Sequence, residues 1–246
     1  MDLLRSHTPK GIRARDKILR GAEKLLAAHG FHGTSMRDVA DAAGLPLATV
    51  VYHFAKKEKL YGAVLGTIGE ELEAEMARAL DDEGRSWSQR LDGLVHALIA
   101  WTDATPGRVK LLLRELLDNP SRVARASKLP LAPVLLRLSA FVEAGIRARA
   151  FRRVIPETSV LHLVGAVSYF VAARPTVRRI VGPARDRRIT ASYEREAIGF
   201  ARRMFLAAPS EVNLYGSEQT DQPGKARARA RGGADDGLRQ GAWSDD

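Results

Sequence analysis

Between Gly44 and Tyr61 the chain reads GLPLATVVYHFAKKEKLY, in which a lysine cluster follows a short apolar segment. Lysines can neutralise DNA phosphates, and apolar side chains such as Leu47 and Ala48 can contact thymine methyl groups in the major groove. The segment from Leu47 to Phe54 has no Arg, Lys, Asn or Gln, the residues that most often read base edges. These residue types predict a DNA contact in which lysines hold the backbone and apolar contacts give a modest preference for T·A pairs.

The residues that precede and follow this stretch predict the helices that would position it. Apolar residues at helical spacing between Ile18 and Leu26 predict a helix that Gly30 closes. Thr34 or Ser35 can cap a second short helix, which Gly44 ends, and a proline then suits the first turn of a third helix. Two short helices joined by a glycine-containing turn form a helix-turn-helix candidate. In this motif the second helix, 46–54 here, enters the major groove.

The rest of the chain also shows apolar spacing with a period of 3.6 and no sustained alternation, which predicts an all-α fold of about nine helices. Further helices are predicted at 56–80, 86–103, 107–118, 121–128, 131–150, 157–174 and 190–208. Prolines mark most of the joints between them. Four segments follow: a flexible basic arm at 1–10, a helix-turn-helix DNA-binding domain at 11–56, a helical effector-binding and dimerisation domain at 57–208, and a disordered tail at 209–246.

Charge and composition limit the classes of protein. The 246 residues carry a formal charge of +10 and no cysteine, which excludes disulfides and zinc–thiolate sites. Residues 1–60 hold 11 basic and 6 acidic residues, as suits a polyanion partner. Residues 120–208 hold 17 basic and 5 acidic residues, which indicates either a solvated arginine-rich surface or, more weakly, an anionic effector. The N-terminus lacks an apolar signal segment and no stretch reaches about 18 uninterrupted apolar residues, so we expect a cytoplasmic protein without a membrane partner.

Over some fifty residues the chain resembles the tetracycline-repressor (TetR) family of transcriptional regulators. The resemblance rests on Gly30-Phe31, Thr34-Ser35-Met36-Arg37-Asp38-Val39-Ala40, Ala43-Gly44-Leu45, Thr49, Tyr52-His53-Phe54 and Lys57-Glu58-Lys59-Leu60. It implies that phosphates or bases of an operator contact Thr34, Ser35, Arg37, Leu47, Ala48, Thr49, Tyr52, His53, Lys56 and Lys57. Two positions depart from the family pattern. Pro46 replaces a common serine and Val51 a common tyrosine, so one hydroxyl contact and one aromatic contact are absent or moved.

The same resemblance implies a homodimer on a palindromic operator and release by a small-molecule effector. The dimer would form through the last two helices, with Leu161, Ala166, Phe170, Ala197, Phe200, Ala201 and Met204 as the expected interface. The middle helices would enclose an effector pocket, for which the candidates are His96, Trp101, Arg114, Phe141, His162 and Tyr169. No cofactor and no metal site are expected. The identities of the operator, the effector and the regulated genes do not follow from the sequence.

Other interpretations remain open. A plain helical bundle could place lysines at a joint, His53 could be a packing residue, and Arg37 could pair with Asp41 one turn away. A nonspecific nucleic-acid binder would also be basic, although the acidic segment 61–119 argues against it. An enzyme is disfavoured, because the chain contains no Gly-x-Ser-x-Gly, His-Glu-x-x-His, Walker A or Gly-x-Gly-x-x-Gly motif, and so no catalytic residue is assigned.

Overall fold

Nine α-helices make up most of the residues that this computed structural model describes, 9–118 and 131–206. They are α1 (Pro9–His29), α2 (Met36–Ala43), α3 (Leu47–His53), α4 (Lys57–Leu80), α5 (Trp87–Ala104), α6 (Pro106–Asp118), α7 (Ala132–Arg147), α8 (Pro156–Val181) and α9 (Pro183–Phe205). Among the described residues the β-type pairing is limited to an isolated antiparallel bridge between Phe151 and Leu206. The predicted all-α class is confirmed.

Local hydrogen bonds define where the short helices begin and end. At the start of α2, the Ser35 hydroxyl accepts the Asp38 N–H and the Asp38 carboxylate accepts the Ser35 N–H, a complete capping box. Hydrogen bonds with the Ser35 side chain and backbone lower the pKa of Asp38. At the other end Gly44 adopts a left-handed conformation with φ of 64°, which glycine reaches without steric cost. The turn between α2 and α3 is therefore fixed by the residues that the sequence predicts for it.

The first three helices share one apolar core. α1 contacts α2 and α3, and it also reaches α4 and α6. The buried side chains of this region are Ile18, Leu19, Ala22, Leu26, Val39, Ala40, Val50 and Phe54. Because Val50 and Phe54 are buried, the opposite face of α3 is turned away from the core.

The remaining helices pack around α4 and α5. α4 contacts α5 and α7, α8 lies against α5, α6 and α7, and α9 lies against α5 and α8. At one end of this assembly four aromatic rings meet in what we call the aromatic cluster, formed by Trp87, Phe141, Phe151 and Phe205. The Arg152 N–H donates to the Phe205 carbonyl at 2.8 Å. This bond holds the end of α9 to the segment between α7 and α8.

Two predicted helix boundaries are wrong. The prediction ended one helix at 174 because Pro175 follows, but α8 continues through that proline to Val181. The next helix was predicted from 190 to 208 and instead runs from Pro183 to Phe205. A proline removes one backbone donor and strains the turn before it, and packing of a long helix can offset that cost. The predicted helix 121–128, most of the basic arm and the tail lie outside the described residues.

α8 also has the length and composition of a membrane-crossing helix. Its most apolar 18-residue window has a mean hydropathy of 1.4, and 22% of that window is buried. The sequence prediction of no such segment relied on uninterrupted apolar runs, which α8 does not contain. One such helix is weak evidence for a membrane, because the core helix of a soluble protein passes the same test of length and composition.

Candidate nucleic-acid interface

The exposed face of α3 is apolar at its centre. Val51 and Tyr52 are 44% and 49% exposed, and Leu47 and Ala48 also face solvent. Thr49 and His53 are half-buried on the same short helix. Exposed apolar patches often mark interaction sites, and thymine methyl groups are an apolar feature of the DNA major groove. We refer to Leu47, Ala48, Val51 and Tyr52 as the α3 face.

Residues at the start of α2 divide into exposed and buried ones. Ser35 and Arg37 are exposed beside the α2 N-terminus, where backbone N–H groups and the helix dipole favour a phosphate. Thr34 differs, because its side chain is only 2% exposed and its hydroxyl donates to the Gly30 carbonyl at 2.9 Å. The predicted phosphate role of Thr34 is therefore corrected to a structural one: its hydroxyl closes the turn between α1 and α2.

The two lysines predicted to contact DNA have different surroundings. The Lys57 ammonium donates to the carbonyls of Phe31 and Thr34 at 2.9 and 3.1 Å, and it lies 4.3 Å from the centre of the Phe31 ring. Lys56 is exposed at the N-terminal boundary of α4. The structure thus places Lys57 as a brace between α4 and the α1–α2 turn, while the Lys56 side chain faces solvent.

Replacing Lys57 by alanine is expected to lower the free energy of unfolding by about 1–2 kcal/mol, because two backbone acceptors lose a charged donor. Lys56→Ala is the matched control, and we expect it to change that free energy by less than about 0.5 kcal/mol. Lys56→Ala should, however, reduce the slope of log binding constant against log salt concentration by about one, the value expected for one lost phosphate contact. Urea unfolding and binding at several salt concentrations measure the two effects. If Lys57→Ala left the stability unchanged and made DNA binding less dependent on salt, Lys57 would be a phosphate contact and not a structural residue.

His53 lies where the α3 face meets the core. Burial lowers the pKa of His53, and the positive charge of Arg15 lowers it further. The unfolded chain then binds more protons than the folded chain at pH values between the lowered pKa and the ordinary value of 6.5. Stability should therefore be constant above this window and decrease as the pH falls through it. We expect His53→Gln to remove that decrease, measured by comparing urea unfolding at about pH 7.5 and about pH 5.5 in both proteins.

The part of the sequence that forms these elements matches a known protein family. Residues 18–64 match the family model described as bacterial regulatory proteins of the tetR family. The match covers the second half of α1, both motif helices and the first turns of α4, which are the elements that form the surface described above. Residues 18–64 therefore belong to the TetR family of DNA-binding regions. The resemblance inferred from sequence motifs is confirmed.

Relatives with curated names agree with this assignment. The HTH-type transcriptional repressor AcnR of Corynebacterium efficiens is 33% identical over 75 residues, which are 30% of this chain and 38% of AcnR. An HTH-type transcriptional regulator of Saccharopolyspora erythraea is 29% identical over 163 residues, 66% of this chain and 59% of that protein. The matched region thus spans about two fifths of AcnR. These proteins are named as regulators, in agreement with the prediction of a regulator rather than an enzyme.

Solved structures extend the likeness across the fold. The fatty acid degradation regulator FadR from Bacillus halodurans matches with a TM-score of 0.62 and 16% identity, over 76% of this chain and 95% of that chain. At this level of identity the likeness concerns the fold alone. It supports the predicted arrangement of an N-terminal helix-turn-helix followed by a helical C-terminal part.

The predicted TetR-type dimer residues divide into exposed and buried ones. Leu161, Ala166 and Phe200 are exposed, Ala197 and Met204 are half-buried, and Phe170 is half-buried with its ring stacked on Tyr193 at 3.5 Å between ring centres. Ala201 is 0% exposed, so its side chain packs in the core of this chain and not on the exposed surface of α9 where an interface was predicted. Burial, together with the nearby Asp103 carboxylate, raises the pKa of Tyr193 to about 12. The stacked rings of Phe170 and Tyr193 join α8 to α9 within this chain.

The six residues predicted to form an effector pocket have different surroundings. His162 and Tyr169 are exposed, with Tyr169 at 74%, and His96 is exposed with its Nδ1 at 2.6 Å from the Glu194 carboxylate. Arg114 donates to the Ala27 carbonyl of α1 at 3.3 Å. Trp101 and Phe141 are buried, and Phe141 belongs to the aromatic cluster. These positions argue against one shared pocket, because exposure or other polar partners account for most of the six side chains.

The sequence did not indicate the polar contacts of α6 with α1 and α4. The Arg108 Nε donates to Glu23 of α1 at 2.7 Å, and the same guanidinium also bonds Glu71 of α4. The hydrogen bond with Glu23 is the largest cause that raises the pKa of Arg108. The buried Tyr61 hydroxyl donates to Glu115 at 2.8 Å. These partners lie 37 to 85 residues apart along the chain, so no local spacing could have paired them.

Proposed function

We propose that this chain is a sequence-specific transcriptional repressor that binds a palindromic operator as a homodimer and is released by a small-molecule effector. The observation that carries the DNA-binding part is the α3 face, which is apolar and exposed while Val50 and Phe54 anchor the other side of α3. This is the orientation that a recognition helix needs in the major groove. The family membership of residues 18–64 supports the same role.

Phosphate contacts in this proposal come from exposed polar and basic residues around the motif. Ser35, Arg37 and Lys56 are exposed, and Thr49 and His53 add polar groups at the edge of the α3 face. Such contacts hold the protein on the duplex without reading its sequence. Sequence preference then comes from Leu47 and Ala48 against thymine methyl groups, with the shape of the DNA providing the remainder.

The proposed dimer uses the exposed surfaces of α8 and α9. Leu161 and Tyr169 of α8 and Phe200 of α9 are large apolar residues that remain exposed in the single chain. Covering them with the same surface of a second subunit would give a two-fold dimer. It would also explain why α8 is apolar although little of it is buried. A two-fold dimer places two α3 helices on an inverted repeat with half-sites about one helical turn apart.

Release by an effector requires a ligand that binds one conformation better than another. The contacts of α6 with α1 and α4 offer a path, because a shift of α6 would alter the Arg108–Glu23 pair and the Arg114 bond to α1. We propose that effector binding moves α6 and thereby changes the spacing of the two α3 helices. A cytoplasmic location follows from this function.

The test of this function is selection of DNA fragments from a random pool by the purified full-length protein, followed by sequencing. We expect one inverted repeat enriched in T·A pairs where Leu47 and Ala48 lie. The Leu47→Ala, Ala48→Gly double variant should select a different sequence at those positions. Enrichment without a shared sequence would indicate nonspecific binding and exclude the proposed function. An unchanged preference in the double variant would exclude the apolar readout alone.

A further inference from the structure

An open cleft of about 700 Å³ lies between the α5–α6 junction and the turn from α8 to α9. It contains none of the residues that the sequence indicated as an effector pocket. The residues that line it are Asp103, Pro106, Val171, Arg174, Pro175, Arg178, Arg179, Gly182 and Pro183. Apolar and basic side chains therefore share one cavity of a size that suits a small organic molecule.

The cleft exists because α8 continues through Pro175. Five of the lining residues, from Val171 to Arg179, follow one another at the spacings i, i+3, i+4, i+7 and i+8. These spacings place them along one face of α8. A helix ending at residue 174 would have left Arg178 and Arg179 in a loop. The continuous helix instead holds Arg174 and Arg178 one turn apart on the same face.

The charge of this face is unbalanced. Three arginines and one aspartate line the cleft, a formal charge of +2. Arg174 forms long ion pairs with Asp103 and with the buried Asp186, each at 3.8 Å and without a hydrogen bond. Within residues 9–118 and 131–206, Arg178 and Arg179 form no ion pair with another side chain. Like charges one helical turn apart repel, so this face of α8 favours an anionic ligand.

The turn from α8 to α9 borders the cleft. Gly182 has φ of 80°, and this turn directs the N-terminus of the 23-residue α9, beginning at Pro183, to the edge of the cleft. A helix N-terminus favours negative charge. The C-terminal dipole of α8 accounts for basic residues in its last turn, but it does not account for the apolar lining beside them. Val171, the buried lining residue, and the prolines provide an apolar surface next to the guanidinium groups.

We propose that this cleft binds a small organic acid, with its anionic group against Arg174, Arg178 and Arg179 and its apolar body against Val171 and the prolines. Guanidinium groups bind carboxylates through paired hydrogen bonds, which makes arginine suited to this ligand class. The cleft also touches the start of α6. Pro106 lines it, and the next two residues contact α1, Gly107 beside Ala27 and Arg108 through Glu23. A role of the acid as the effector rests on the proposed regulatory function.

Direct binding to the DNA-free, full-length protein tests the cleft. We use 2-naphthoate as the probe, its neutral amide 2-naphthamide, and inorganic phosphate, each measured by titration calorimetry. Naphthoate should bind, and the Arg178→Gln, Arg179→Gln double variant should weaken that binding at least about 10-fold through loss of charged hydrogen bonds. The Arg187→Gln, Arg188→Gln variant removes the same charge from α9 outside the lining, and we expect no change.

Each outcome decides the proposal. No binding of naphthoate at about 2 mM, a concentration that detects even weak complexes, would overturn it. If 2-naphthamide bound as tightly as naphthoate, the ligand would not need a negative charge. If phosphate bound as tightly as naphthoate, the ligand would not need an apolar body. An equal loss in both double variants would indicate a nonspecific charge effect. Selection of DNA by the protein is a separate measurement. A negative result there would contradict the regulatory function but would not contradict binding of the acid in the cleft. Naphthoate bound in the cleft without effect on operator affinity would exclude the effector role.

Discussion

Val51→Glu is expected to weaken binding to the selected operator at least about 100-fold while leaving the protein folded. Val51 is 44% exposed at the centre of the α3 face, so glutamate can extend into solvent without disturbing the core. On DNA the new carboxylate would lie in the major groove between phosphates, and like charges at an interface cost several kcal/mol. Fluorescence anisotropy with a labelled inverted repeat measures the affinity, and urea unfolding measures the stability.

The control places the same charge on another exposed apolar residue. Leu136 of α7 is 70% exposed and lies outside the first three helices. Leu136→Glu should therefore bind the operator as the unchanged protein does, whereas Val51→Glu should not. Both variants should unfold within about 0.5 kcal/mol of the unchanged protein, as is usual for surface substitutions. Operator binding retained in Val51→Glu would mean that the α3 face does not enter the major groove.

The helix-turn-helix could be predicted closely because its determinants are local. Ser35 and Asp38 form a capping box within four residues, and Gly44 fixes the turn that follows. Each of these signals acts over one helical turn, so the order of residues is sufficient to recognise it. The burial of Thr34 and the bracing role of Lys57 were not predictable in this way. Lys57 bonds carbonyls more than twenty residues earlier in the chain, and the fold alone brings those groups together.

The C-terminal part was predicted less well because its determinants are distant in sequence. Pro175 is a helix-breaking signal locally, yet α8 packs against several helices and continues past it. The cleft arginines were consequently read as part of a general basic surface. Ala201 has the residue type of an interface position, and its complete burial depends on helices that pack around it. Residue type and spacing indicate an apolar face, but they do not tell which neighbour covers it.

Gly145→Ala is expected to destabilise the protein by about 2–3 kcal/mol through overpacking of the core. Gly145 lies in α7 directly beneath the Phe151 ring, and an added Cβ would overlap Cδ2 and lie 2.7 Å from Cγ of that ring. Phe151 is buried in the aromatic cluster against Trp87, Phe141 and Phe205, so a shift of its ring would disturb their packing. Thermal or urea unfolding measures the loss, which should exceed the gain in helix propensity of about 1 kcal/mol.

Two further variants separate overpacking from other causes. Gly62 of α4 is also helical, and a Cβ there would meet no atom within 4 Å, so Gly62→Ala should stabilise the protein by up to about 1 kcal/mol. Phe151→Ala should cost about 3–5 kcal/mol by itself. In that background Gly145→Ala should no longer destabilise, because the ring that it would strike is absent. The coupling of the two changes is the decisive quantity. If the two losses of unfolding free energy simply add, a clash between the new Cβ and the Phe151 ring is not the cause of the destabilisation. The overpacking explanation would then be wrong.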